Sequence, residues 1–144
     1  MLKVISILGL VVMIGALAGL YKIGVLFTAQ PIAIALQLIA VALMIWARIT
    51  FGRRSFHAAA NATEGGLVTT GPYRIIRHPI YTAASLFGWA AIVVHWSLVS
   101  VALGILLLAG ALVRMICEEH LVKQTYPEYV EYAKLTKRMV PYLF

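Results

Sequence analysis

Apolar residues run without a charge from Val4 to Tyr21, from Pro31 to Ala47 and from Ile80 to Val113, and the polar residues gather between these runs. The first run, flanked by Lys3 and Lys22, has the ~20 residues that one helical crossing of a bilayer needs. It predicts a span over 4–22. Ala16-Leu17-Ala18 resembles a signal-peptidase site, but the apolar run continues past it, which favours a retained helix. Ile23 to Gln30 reads as a short connection. Pro31 lacks an N–H and fixes φ, so it suits the first turn of a second helix over 31–51. Gly52-Arg53-Arg54 marks its end, and Arg48 falls in its last turns.

The third run is interrupted only at His95-Trp96-Ser97. As one helix, at about 1.5 Å per residue, it would reach roughly 50 Å, well beyond a hydrocarbon core of about 30 Å. The pattern therefore predicts a helical hairpin with arms at 79–95 and 97–117. Trp96 suits an interfacial aromatic belt, and Gly88, Gly104 and Gly110 permit close helix approach. The segment 52–78 is too polar and glycine-rich to span, and a short helix is expected around Phe56 to Ala62. In the segment 118–144, Tyr126-Pro127 interrupts, and Glu128 to Arg138 reads as a short amphipathic helix ended by Pro141. Its Tyr129, Tyr132 and Leu135 fall on one face. The expected architecture is an all-α integral membrane protein in one unit over 1–144. It has about four transmembrane helices, the last two a hairpin, and a C-terminal amphipathic helix.

Composition agrees. The 144 residues are 62% hydrophobic and 12% charged, against about 25% charged for a soluble domain. The net charge of +7 would suit nucleic acid, but the basic residues sit beside the spans. Five Lys and Arg lie in 48–78, five follow Val113, and none lies between Ile80 and Val113. By the positive-inside rule the 52–78 loop and the 118–144 tail are cytoplasmic, as are both termini. The one cysteine, Cys117, cannot form an internal disulfide.

The chemistry concentrates in Leu67-Val68-Thr69-Thr70-Gly71-Pro72-Tyr73-Arg74-Ile75-Ile76-Arg77-His78-Pro79-Ile80-Tyr81. Gly71-Pro72 is a turn signal, and Pro79 is placed to open the third span. A hairpin brings this segment beside Arg114, Glu118 and Glu119 at the end of the fourth span, with Arg48 on the same face. Arg114 and Glu118 stand i, i+4. Arg114–Glu118 and Arg77–Glu119 could be ion pairs that only neutralise charge at an interface. Yet two successive acids at a span end cost desolvation, which points to a pocket for a zwitterionic or cationic ligand. His57, His78, Cys117, Glu118 and His120 show no dedicated metal-site spacing, so no metal is expected. Cys117 has no oriented base and reads as a small helix residue. No dinucleotide or phosphate-loop fingerprint occurs.

The ordered series Leu67 to Tyr73, Arg77-His78-Pro79-Ile80-Tyr81, Arg114, Glu118-Glu119, Tyr126-Pro127-Glu128-Tyr129-Val130-Glu131-Tyr132 and Pro141 resembles the isoprenylcysteine carboxyl methyltransferase family. That family is related to the membrane phospholipid methyltransferases. The resemblance covers roughly Arg48 to Pro141. It implies S-adenosylmethionine as methyl donor and S-adenosylhomocysteine as product, bound at the cytoplasmic end of the last spans. By the same resemblance Gly71 and Tyr73 shape the cofactor pocket, and His78 and Tyr81 contact the cofactor. Arg114 holds the cofactor's carboxylate, and Glu118 lies near the reacting centre with Glu119 beside it. Arg48 faces the acceptor carboxylate. The implied acceptor is a lipophilic small molecule or a lipidated acceptor, a carboxylate first, reached from the membrane lipids; the compact chain points to a prokaryotic inner membrane. About four spans are fewer than the eukaryotic members have, so a second copy could supply the rest of a substrate groove. The competing reading is a non-catalytic membrane module that binds anionic lipid or a protein through its basic loop.

Overall fold

The computed structural model describes residues 1–52 and 65–144. The expected helix around Phe56 to Ala62, and His57 within it, lie outside the described residues. Helix α1 runs Leu2–Lys22 and α2 runs Pro31–Phe51. A 3-10 turn at Gly71–Arg74 precedes α3 at Pro79–Val94, and α4 at Leu98–Thr125 and α5 at Tyr129–Leu135 complete the chain. Helices α1, α2 and α4 are long and apolar enough to cross a membrane, and α3 is a shorter apolar helix of 16 residues. The chain is an all-helical integral membrane protein, and the apolar residues it leaves exposed along α1 and α2 suit contact with lipid.

The hairpin turns where the polar break falls. Ser97 caps α4: its side chain accepts from the Ser100 amide at 3.0 Å, and the Ser100 hydroxyl accepts from the Ser97 amide at 2.9 Å. This reciprocal pair satisfies two donors that the helix start would leave unmade.

Two expected boundaries are corrected. First, α4 does not stop near residue 117 but runs on to Thr125. Charge at Glu118 and Glu119 marks the end of the apolar run, not of the helix, and Pro127 disfavours helix in the residue before it. Second, α5 covers Tyr129–Leu135, shorter than 128–138, and Leu135 is 86% exposed while Tyr129 is 4% exposed. The helix stops because the chain turns extended: residues 136–138 lie alongside 75–78. The amides of Arg77 and His78 donate to the carbonyls of Lys137 and Arg138 at 2.7 and 2.9 Å.

Packing follows two seams. On α1 the buried stripe Ser6, Gly9, Met13, Ala16 and Leu20 faces α4. A side-chain carbon added at Gly9 would lie 3.0 Å from the Gly110 carbonyl oxygen, so only glycine lets these backbones meet. Helix α2 packs on α3 instead. Within this seam the Gln37 amide donates to the carbonyls of Leu26 at 2.7 Å and Phe87 at 3.3 Å, which satisfies a polar side chain buried at membrane depth.

Candidate active site

Alternation of four helices places the start of α1, the end of α2, the start of α3 and the end of α4 at one face. There the Gly71–Arg74 turn seats on α2. Gly71 has φ +56°, a left-handed conformation that favours glycine, and a Cβ there would meet Thr50 Oγ1 at 2.7 Å. The turn carries Tyr73 inward, where its ring lies 5.3 Å from that of Phe51 and its carbonyl accepts from Tyr132 at 2.6 Å.

His78 precedes Pro79 and is buried with α3's first turn. Its Nε2 lies 3.2 Å from Glu119 Oε1 and its Nδ1 3.8 Å from Glu118 Oε2. Tyr81 donates to Glu118 Oε1 and accepts from Arg114 Nε at 2.8 Å. Arg114 Nη2 reaches Glu118 at 3.5 Å, and Arg114 Nη1 donates to the carbonyl of Ser6 at 3.1 Å. His78, Tyr81, Arg114, Glu118 and Glu119 thus form one connected network.

The two adjacent glutamates have unlike surroundings. Glu119 is bound by Arg77 Nε at 3.2 Å, by Arg138 at 3.1 and 3.0 Å, and by His78. It is saturated and ties the chain after α5 to the end of α4. The Glu118 side chain keeps 25% of its surface exposed, against 6% for Glu119. The Arg114–Glu118 and Arg77–Glu119 ion pairs both form, and Glu118 is the acid of the pair that also opens outward.

Tyr73 lies within electrostatic reach of Glu118 and of Arg48. Burial pushes the Tyr73 phenol above its ordinary value; the charge on Glu118 pushes the same way, Tyr132 adds to it, and Arg48 opposes. Gly71 acts on the site through the turn it permits.

Several partners carried no signal in the sequence. The Ser6 contact is made by a backbone carbonyl. Arg138 binds across the fold from a run of surface cations. Arg77 also donates to the carbonyls of Ala133, at 2.9 Å, and Thr136. Thr82 donates to the Met139 carbonyl at 2.9 Å. Among the described residues, no group of three or more His, Cys, Asp or Glu is arranged to hold a metal ion.

Beside this network, on the membrane side, lies a cavity of about 220 Å³ lined by Leu17, Ala40, Val41, Met44, Ile45, Ala83, Ala84 and Phe87. Val41, Met44 and Ile45 share the helix stripe that leads to Arg48, and Ala84 stands one turn beyond Tyr81.

The helices thus carry a cluster of buried arginines and glutamates at one end and an apolar cavity farther along α2 and α3. The sequence matches the phospholipid methyltransferase family over residues 29–129, and the chain belongs to that family. It is 36% identical over 80 residues to the nickel-cobalt-cadmium resistance protein NccN of Alcaligenes xylosoxydans xylosoxydans, covering 54% of this chain and 37% of that protein. It is 34% identical over 80 residues to the cobalt-zinc-cadmium resistance protein CzcN of Cupriavidus metallidurans, covering 54% and 36%. The match therefore spans little more than a third of either relative. No solved structure matches the chain.

Proposed function

We propose that this chain is an S-adenosylmethionine-dependent methyltransferase that acts on a lipid-tailed carboxylate. The observation that carries this is the Arg114–Tyr81–Glu118–His78 network, with Tyr73 in electrostatic reach of both Glu118 and Arg48, and an apolar cavity whose Ala84 stands one turn from Tyr81. The donor set fits the cofactor. A partly exposed carboxylate suits its ammonium and sulfonium charges, and arginine suits its carboxylate. In this reading Gly71 and Tyr73 shape the pocket, His78 and Tyr81 contact the cofactor, Arg114 takes its carboxylate, and Glu118 and Glu119 supply the negative side. When bound, S-adenosylmethionine supplies an electrophilic methyl group.

A carboxylate acceptor is ionised at neutral pH and needs no general base. Arg48 orients it through a planar guanidinium fork. That hold must stay moderate, because tight ground-state pairing lowers nucleophilicity without aiding the transition state. The buried side chains of His78, Tyr81 and Arg114 limit water and fix the approach. The hydrocarbon tail lies in the cavity between α2 and α3, reached sideways from the bilayer. The excess of Lys and Arg beside this face supports a cytoplasmic site in a prokaryotic inner membrane, with both termini on that side. A second reading, a phospholipid headgroup amine as acceptor, is favoured by the family's description and makes the partly exposed Glu118 the base.

The test is calorimetric titration of S-adenosylhomocysteine into the detergent-purified protein and its Glu118→Gln variant, with Arg48→Ala assayed alongside. Saturable binding that Glu118→Gln loses, with Arg48→Ala impaired mainly in acceptor use, supports the reading. A folded native protein that binds no cofactor turns the assignment to a lipid- or partner-binding module. Turnover of an amine but no carboxylate selects the second reading.

A further inference from the structure

The family match begins at residue 29, after α1 has ended. Yet α1 reaches the network directly, through Arg114. Arg114 is 4% exposed and its guanidinium is planar. Nη1 donates to Ser6 O, Nε to the Tyr81 hydroxyl, and Nη2 lies 3.5 Å from Glu118. These donors are fixed relative to one another by the fork. Anchoring Nη1 on α1 therefore sets the direction in which Nε points. The Tyr81 oxygen accepts from Nε, so its single proton is left to Glu118. The order of control runs from the Ser6 carbonyl to Arg114, to Tyr81, to the Glu118 carboxylate.

The approach of α1 that makes this contact depends on glycine. A Cβ at Gly9 would stand 3.0 Å from the Gly110 carbonyl oxygen and 3.1 Å from Arg114 Cγ. A Cβ at Gly110 would stand 2.7 Å from the Gly9 carbonyl oxygen. The Ser6 carbonyl has two lone pairs, one for its own helix and one for the guanidinium. Arg114 is buried, and a buried donor of a charged group left unmade is costly, so the guanidinium stays where α1 holds it.

We propose that α1 is a positioning element of the methyl-transfer site, its Ser6 carbonyl fixing the plane of the Arg114 guanidinium through the Gly9–Gly110 crossing. This rests on the methyltransferase reading above. The test compares Gly9→Val with Gly15→Val, a substitution on the same helix where a Cβ meets nothing within 4 Å. Two quantities are read in the same detergent preparations: S-adenosylmethionine affinity, and hydrogen exchange of the Arg114 Nε–H by NMR, assigned through its loss in Arg114→Lys. Gly9→Val is expected to lose roughly tenfold or more in affinity and to speed Nε–H exchange, with helicity kept, while Gly15→Val behaves as the native protein. If Gly9→Val loses its helicity, Gly9→Ala takes its place, with smaller changes in the same direction. Unchanged affinity and exchange in the Gly9 variant overturn the proposal. So does lost affinity with unchanged exchange, or an equal loss in Gly15→Val. A native protein that binds no S-adenosylmethionine overturns the functional reading alone, and the exchange comparison still decides whether α1 orients Arg114.

Discussion

The α1–α4 seam and the α2–α3 seam solve the same packing problem in opposite ways. At the first, Gly9 and Gly110 bring two backbones into contact and leave no room for a Cβ. At the second, small residues such as Ala40, Ala83 and Ala84 border a cavity that Leu17 and Phe87 help to line. The closed seam ends in the Arg114 network, and the open one leads along α2 toward Arg48. Tight packing is found where charged groups must be held in one geometry in a low dielectric. Space is found where a flexible hydrocarbon chain could lie. On the proposed function, the difference divides a fixed cofactor side from an adaptable acceptor side.

The largest effect should come from the end of the closed seam. Glu119→Ala removes the acceptor shared by Arg77, Arg138 and His78 and leaves buried positive charge unpaired. Breaking a buried pair this way costs about 3–5 kcal/mol. Thermal unfolding in detergent should show a large drop in midpoint, and proteolysis should show the segment after α5 released. A Glu119→Ala protein as stable as the native one would mean that the clamp is not what holds that segment to α4.

The open seam should respond in the opposite manner. Ala84→Leu places apolar volume in the cavity, and cavity filling commonly adds about 0.5–2 kcal/mol of stability. The midpoint should hold or rise while KM for long-tailed acceptors increases and cofactor affinity stays constant. Equal use of long and short acceptors by Ala84→Leu and the native protein would remove the tail from this cavity.

The two seams were also unequally legible in the sequence. The charge-free runs and the break at His95 to Ser97 were enough to place four helices and the hairpin, because a bilayer sets their length and excludes charge. Topology alone brought Tyr81 toward Arg114 and Glu118. The extension of α4 to Thr125 was not legible, because charge marks where the membrane ends and says nothing of where helical hydrogen bonding ends. The exposure of Leu135 was not legible, because the period of a short helix carries no sign of where tertiary pairing cuts it. Ser6 could not be read as a contact, since a carbonyl has no residue-type signal, and Arg138 looked like any other cation in the tail.

The smallest effect concerns the strap that closes the polar face. Tyr132 donates to the Tyr73 carbonyl at 2.6 Å, and its phenol is pushed up to about 12 from an ordinary 10.0, mainly by burial. A raised pKa in the folded state means that the protonated phenol is favoured there. Below pH 10 the phenol is protonated in folded and unfolded chains alike, and its contribution is complete. Between 10 and about 12 the unfolded chain gives up its proton first, so stability falls, and above that the contribution is gone. Tyr132→Phe should lose about 0.5–1.5 kcal/mol at neutral pH with the hydrogen bond, and its alkaline unfolding curve should be flatter across this window. Burial of Tyr73 raises its phenol as well, so some alkaline slope must remain in the variant. An unchanged slope in Tyr132→Phe would place the whole alkaline sensitivity on groups other than Tyr132, among them Tyr73, beside Arg48 and Glu118.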